Sequence, residues 1–229
     1  DHWSRKGSVW TRPFSSDQFA EAKERTIELI LTPMKKAPLW WFEGLGKRVL
    51  GLASGGGQQG PELIAHGYDV TRRQLLADQA VSMREDYPIN LVRADMTCRF
   101  PFEDNVFDFI VHPVSNCYVE DIEHVWREAY RVLRPGGVLM SGWTNPIMYM
   151  VADEALNSEE HPLEIKYPLP YNSLVEEQKG LEITTDGGYQ FSHTLGTQIG
   201  GQLRAGFLLK GFYEDNEADN RLGKYTSLY

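Results

Sequence analysis

Two cysteines, Cys98 and Cys117, are all that this chain of 229 residues contains. Two unclustered thiols build neither a disulfide framework nor a zinc site, so no metal is expected and a reducing cytoplasm is the expected location. Long apolar runs are missing as well. No stretch reaches the roughly 18 residues that a membrane-crossing helix requires, and the opening Asp1-His2-Trp3-Ser4-Arg5-Lys6 lacks a signal-peptide pattern. Basic residues are in deficit, with 23 Lys and Arg against 32 Asp and Glu for a net charge of -9. The only basic clusters are local pairs such as Lys35-Lys36, Lys47-Arg48 and Arg72-Arg73. A nucleic-acid partner is therefore not expected, because phosphate binding needs a basic surface. Internal repeats and low-complexity segments are absent too. Ser115 and Cys117 have no spaced histidine and acid that would make a hydrolase triad.

What is present begins with glycine. Val49-Leu50-Gly51-Leu52 reads as an apolar strand running into Ala53-Ser54-Gly55-Gly56-Gly57-Gln58-Gln59-Gly60. A turn of this kind lets backbone N–H groups and the following helix N-terminus approach a ligand closely. The helix is expected through Pro61 to Ala65, with Gly67 as its C-terminal stop. Ile89–Arg93 and Phe107–Val111 read as further strands, the first ending at Ala94-Asp95-Met96 and the second at His112-Pro113. Ile122, Val125, Trp126, Ala129 and Val132 fall at helical spacing, and Leu133-Arg134-Pro135-Gly136-Gly137 turns the chain into a strand from Val138 to Ser141. Strands alternating with helices predict an α/β fold with a doubly wound, mostly parallel sheet that binds ligands at the strands' carboxyl ends.

In their order and spacing these motifs resemble one family, the class I, Rossmann-like S-adenosylmethionine-dependent methyltransferases, in a bacterial small-molecule branch. The resemblance covers about Gly46 to Trp143. It implies S-adenosylmethionine as cofactor and S-adenosylhomocysteine as product, and seven strands with the last antiparallel. It implies that Ala53, Ser54, Gly55, Gly57, Gln58 and Gln59 line the cofactor loop. Asp95 and Met96 would hold the adenine, and His112 and Pro113 would meet the methionine part. Two positions depart from the pattern: Gly51 stands where an acid is usual, and Ala53 where the first glycine is usual. A nicotinamide-dependent oxidoreductase and a non-catalytic cofactor-binding module remain as alternatives. The first lacks its GxGxxG spacing here.

One domain of 1–229 is expected: a cap over 1–45, a cofactor-binding core over 46–143, a substrate-side insertion over 144–203 and a last strand pair over 204–229. Ser15 and Gln18 form a capping-box pattern for a helix from about Asp17 to Leu31, which Pro33 ends. Trp3, Trp10, Phe14, Trp40, Trp41 and Phe42 either pack this helix on the sheet or make a lid. Phe207–Tyr213 and Tyr225–Tyr229 are the expected sixth and seventh strands. His112, Tyr118 and His193 are the candidate general bases, needed only if the small-molecule acceptor is protonated at neutral pH. The resemblance also calls for an acid at the end of the second strand. Asp69 reads as too early for it, at that strand's start. A discontinuity of about five residues, including that acid, is therefore expected between Thr71 and Arg72, in a chain that opens without Met and whose Tyr229 falls in mid-strand.

Overall fold

The computed structural model describes residues 12–24, 29–46, 48–53, 66–69, 72–180 and 188–229. It divides into two compact units: residues 1–31, 36–113 and 128–141 form the first, and residues 32–35, 114–127 and 142–229 the second.

The first unit is built on five strands, β1 Val49–Leu52, β2 His66–Asp69, β3 Asn90–Arg93, β4 Phe107–His112 and β5 Leu133–Ser141. They are parallel throughout and ordered β3-β2-β1-β4-β5. Parallel neighbours need crossovers, which puts both faces of the sheet under cover and favours continuous apolar runs. Val49-Leu50-Gly51-Leu52 is such a run, and all four residues are buried. The strand order reverses between β1 and β4, which marks the place where such sheets receive ligands. Leu29, Leu31, Ala37, Val49, Phe109, Val111 and Met140 form the core, with Phe42 edge-on to Phe109 at 6.1 Å. Trp41 also packs there, so these two aromatics serve packing. Trp3 and Trp10 lie outside the described residues.

Helix α1, Ser16–Glu24, carries the expected capping box. The Ser15 amide donates to Gln18 Oε1 over 2.9 Å and the Gln18 amide to Ser15 Oγ over 3.2 Å. Its continuation to Leu31 is corrected. Leu29 and Leu31 are buried while Ile30 between them is 45% exposed and bridges Lys36 antiparallel. Burial at every second residue is a strand's period, so core contacts override the helix pattern here. Gly67 is likewise not a helix stop: it stands inside β2, level with Gly51. Helix α2 spans Arg72–Glu85 and α3 spans Ile122–Val132. In α3 the five apolar positions read from the sequence are all buried. The Leu133–Gly137 segment is absorbed into β5, where six residues of β5, Leu133 to Val138, oppose only the three from Phe107 to Phe109 of β4.

The second unit holds three helices, α4 Asp153–Asn157, α5 Ser173–Gln178 and α6 Leu195–Ala205. The Thr194 side chain caps α6 by accepting from the Thr197 amide, and Gly206 at φ 115° ends it. The seven-stranded sheet with an antiparallel last strand is corrected, since five parallel strands are present among the described residues. Phe207–Tyr213 pairs with no strand, and Leu208 in it is 88% exposed. The Asp215 amide instead donates to the Tyr229 carbonyl over 2.8 Å. The Asp215 carboxylate is buried and accepts from Thr32 Oγ1 at 2.7 Å and from the Met34 and Lys35 amides at 2.8 Å each. Burial pushes this carboxyl up, but those bonds outweigh it and hold it below the usual carboxylate range.

Ala53, directly after β1, has φ 52°, the left-handed region that costs a residue with a Cβ roughly 1–2 kcal/mol. Glycine there loses about 0.4–1 kcal/mol to the freer unfolded chain. Ala53→Gly is therefore expected to raise stability by up to about 1 kcal/mol in denaturant titration. A loss would mean that the Ala53 methyl group contributes packing that outweighs its strain.

Candidate functional site

The carboxyl edge of the sheet follows from the register. Gly51 of β1 is level with Val111 of β4 on one side and Gly67 of β2 on the other, and Asp69 of β2 is level with Arg93 of β3. The chain thus leaves β1 at Ala53, β2 at Asp69, β3 just before Asp95 and β4 at His112. Asp69 is the last residue of its strand, not an early one, and stands at the edge where an acid was expected. The cofactor-loop residues Ser54, Gly55, Gly57, Gln58 and Gln59, the helix through Pro61 to Ala65 and the expected discontinuity at Thr71 lie outside the described residues.

Asp95 is fixed by its own turn. Its Oδ1 accepts from the Thr97 amide and from Thr97 Oγ1, each at 2.8 Å, and its carbonyl accepts from the Cys98 amide at 3.1 Å. Such side-chain-to-backbone turns hold a carboxylate in place without immersing it. Asp95 is exposed and Met96 beside it is half-buried, as an edge-and-face contact with a purine requires. Adenosine offers donors in its ribose hydroxyls and exocyclic amine. Acidic residues at the ends of β2 and β3 are the matching acceptor type, so the residues present fit the cofactor that the resemblance implies.

His112 closes β4 and is fully buried, with Pro113 half-buried after it. Burial alone drives its imidazole down to about 4, so it is neutral at pH 7. Base catalysis works best with a group whose pKa lies near the operating pH, and His112 is far from that.

The other two candidates lie in the second unit. Tyr118 is 41% exposed, at the end of a short 3-10 turn, Asn116–Tyr118. His193 is buried, and its Nε2 donates to the Asn116 carbonyl over 3.1 Å, which sets the tautomer. Burial lowers its pKa, partly opposed by bonds to the backbone at Asn116 and Val119. A ring held between two backbone groups fastens the 116–119 turn. The backbone completes that fastening, since the Phe191 amide donates to the Cys117 carbonyl over 2.7 Å. Sequence reading missed Asn116 and Gln198, which hydrogen-bond to each other here at 2.8 Å. The signal available was Thr194 three residues before Thr197 as a helix start, with Gly206 as its stop.

The His112 ring gives a pH dependence. It is neutral in the fold but protonates in the unfolded chain below its ordinary 6.5. Its contribution is therefore present above pH 6.5 and is lost as pH falls toward about 4. The loss amounts to about 3 kcal/mol at most, with His193 adding in the same direction. His112→Gln is expected to flatten the fall in unfolding free energy over that window, measured by urea titration at stepped pH. A wild-type slope in the variant would remove His112 as its source.

Comparison with known proteins agrees with this geometry. A family model described as a methyltransferase domain matches residues 50–141. A protein of Bacillus subtilis (strain 168), named uncharacterized methyltransferase YbaJ, is 39% identical over 225 residues, spanning 93% of this chain and 88% of the relative. An S-adenosylmethionine dependent methyltransferase from Mesorhizobium loti, of known crystal structure, matches with a TM-score of 0.56 at 21% identity, covering 72% of this chain and 75% of that one. The PH0226 protein of Pyrococcus horikoshii OT3 matches at 0.50 and 18% identity, covering 70% and 75%. At such identities the two crystal structures speak to the fold, whereas the near full-length relative speaks to the family. The chain belongs to the S-adenosylmethionine-dependent methyltransferases of the class I fold.

Proposed function

We propose that this methyltransferase acts on a small-molecule acceptor, in a reducing cytoplasm. The net charge of -9 carries the reading of the acceptor, since a nucleic-acid substrate would need a basic face. Free thiols at Cys98 and Cys117 support the compartment. No helix among the described residues is long and apolar enough to cross a membrane. In this reading residues 1–45 form a cap and 144–203 the substrate side of one catalytic domain. S-adenosylmethionine supplies an activated sulfonium methyl group, so the chain's work is chiefly alignment and exclusion of water.

Ala53, Ser54, Gly55, Gly57, Gln58 and Gln59 bind the cofactor in this reading, by their sequence pattern alone. Asp69, at the end of β2, is the acid assigned to the ribose by its place in the strand, Asp95 accepts from the adenine amine, and Met96 packs on the ring. His112 and Pro113 shape the floor under the methionine part. His112 acts as a neutral group, so any proton that must leave a protonated acceptor goes to solvent, directly or by relay through the Tyr118 hydroxyl, which passes its own proton on as it takes one.

Calorimetric titration with S-adenosylmethionine, S-adenosylhomocysteine and NAD tests the cofactor half, and NAD binding alone would favour the oxidoreductase reading. Turnover of a metabolite library with methyl-labelled cofactor tests the acceptor half, and cofactor binding without any turnover would favour a non-catalytic module. Asp95→Asn keeps an oxygen for the Thr97 turn but removes the charge. It is expected to weaken S-adenosylmethionine binding about ten- to a hundredfold, the value of a hydrogen bond to a charged group, with Tm unchanged. An unchanged Kd would assign Asp95 to the turn alone.

A further inference from the structure

The second unit contains a groove of about 390 Å3, and none of the residues that line it is assigned to the cofactor. That volume falls within the range of small-molecule sites, roughly 300–1,000 Å3. One wall is helix α4 with Ala152 before it, and the other is the irregular run from His161 to Lys166. Both walls are fastened from behind. Arg221 Nη1 donates to the Ala155 carbonyl over 2.8 Å and to the His161 carbonyl over 2.6 Å. The Met150 carbonyl accepts from the Lys166 amide at 2.7 Å and from the Tyr167 amide at 3.1 Å. Val151, Ala155 and Leu156 form a small core against which Leu163 and Leu222 pack. Walls pinned in this way need little further ordering when something binds between them.

Three charged side chains line the groove, Glu154, Glu164 and Lys166, and all three are exposed. Opposite charges in one groove could neutralise each other. Here they do not: neither carboxylate accepts a hydrogen bond or joins an ion pair among the described residues. Lys166 instead lies over the Tyr167 ring, its Nζ 5.1 Å from the centroid, and Tyr167 in turn packs edge-on to Tyr171 at 5.2 Å. Both signs of charge are thus available to a ligand. A metal ion does not suit, since among the described residues no group of three His, Cys, Asp or Glu side chains is placed to hold one. An organic cation is attracted by the two carboxylates but repelled by Lys166, and an organic anion meets the reverse. A molecule carrying both signs can satisfy all three. Ala155, Pro162 and Ile165 supply apolar surface for the rest of it.

We propose that this groove binds a zwitterion of the α-amino acid class with an apolar side chain, its ammonium facing Glu154 and Glu164 and its carboxylate facing Lys166. Arg221 is a positioning residue that holds the two walls through their carbonyls. The inference concerns binding alone and does not rest on the methyl-transfer reading above.

The test uses the full chain, isotope-labelled for NMR, and three probes that share one branched skeleton. Leucine carries both charges, isopentylamine only the ammonium and isocaproate only the carboxylate. Each is titrated at millimolar concentration and followed by amide shifts. Leucine is expected to move the amides of residues 152–166 and to bind about fivefold tighter than either other probe, the scale of one ion pair in a solvent-open groove. Lys166→Met is expected to let isopentylamine bind at least as tightly as leucine. Glu154→Gln combined with Glu164→Gln is expected to put isocaproate ahead of leucine. Opposite reversals from exposed side chains are not what damage to the fold produces, and Tm is expected to stay unchanged in both variants. No leucine binding at these residues, another probe ahead of leucine in the wild type, equal binding of all three, or an unchanged order in either variant would each overturn the proposal. Should a variant fail to fold, the three-probe comparison on the wild type still decides.

Discussion

The Asp108 carboxylate sets the frame on which the sheet's functional edge depends. Its Oδ2 accepts from the Arg48 amide at 3.1 Å, just before β1, and its Oδ1 accepts from Arg134 Nη1 at 2.9 Å, near the start of β5. Two oxygens thus lock the amino ends of β1, β4 and β5 in one register. The chain passes so close that a Cβ on Gly46 would lie 2.3 Å from Asp108 Cγ. The Arg48 amide is the main reason that the carboxyl is held below its usual range, with Arg134 adding to it. β1 and β4 advance in step, so registration at their amino ends fixes their other ends too, whereas β5 takes up its extra residues opposite Phe107 to Phe109 and runs in step with β4 only beyond them. Gly51 is level with Val111, and His112 with Ser141. The Leu133-Arg134-Pro135-Gly136-Gly137 motif accordingly works at the amino edge, opposite the edge where β1 and β4 end.

Two of the buried acids, Glu128 and Asp215, follow one rule. Glu128 accepts from the Phe100 amide at 2.8 Å and from Arg131 Nη2 at 2.6 Å, and Arg131 also reaches the Phe100 and Phe102 carbonyls and Asp104. Asp215 is cradled in the same way by the turn at residues 32–35. A buried charge persists only when its hydrogen bonds are supplied. Both of these acids spend their oxygens on holding loops to helices or turns, which separates them from the acids at the carboxyl edge. Asp95 differs in kind: it is exposed, and its Oδ1 accepts twice within its own turn.

Much of the first unit was legible because its signals are local and mutually consistent. The α3 stripe from Ile122 to Val132, the buried run of β4 and the Ser15–Gln18 cap each rest on residues within a turn or a strand of one another. The failures have tertiary causes. Leu29–Leu31 looks helical until Leu29 and Leu31 are claimed by a core that Val49 and Phe109 also enter. Asp69 and Gly67 were misplaced because β2 starts at His66 and is only four residues long, and a short strand gives little periodicity to locate its ends. Helix α6 was hidden by Gly196, Gly200 and Gly201, poor helix formers, one of which is there for contact with Trp126. Phe207–Tyr213 has a strand's composition but forms no ladder among the described residues, because composition alone does not supply one.

His112 and His193, the two histidines among the candidate bases, share a consequence for the chemistry. A general base must sit near the operating pH and within reach of the proton. His112 fails on the first count, being driven to about 4, and His193 fails on the second, its Nε2 being committed to the Asn116 carbonyl. Their neutrality suits a different task. A sulfonium carries positive charge that is discharged during transfer, so a cationic imidazole nearby would oppose its binding. A ring kept neutral by burial removes that repulsion across the physiological range. On the proposed reading, a neutral His112 at the end of β4 would spare the cofactor that repulsion.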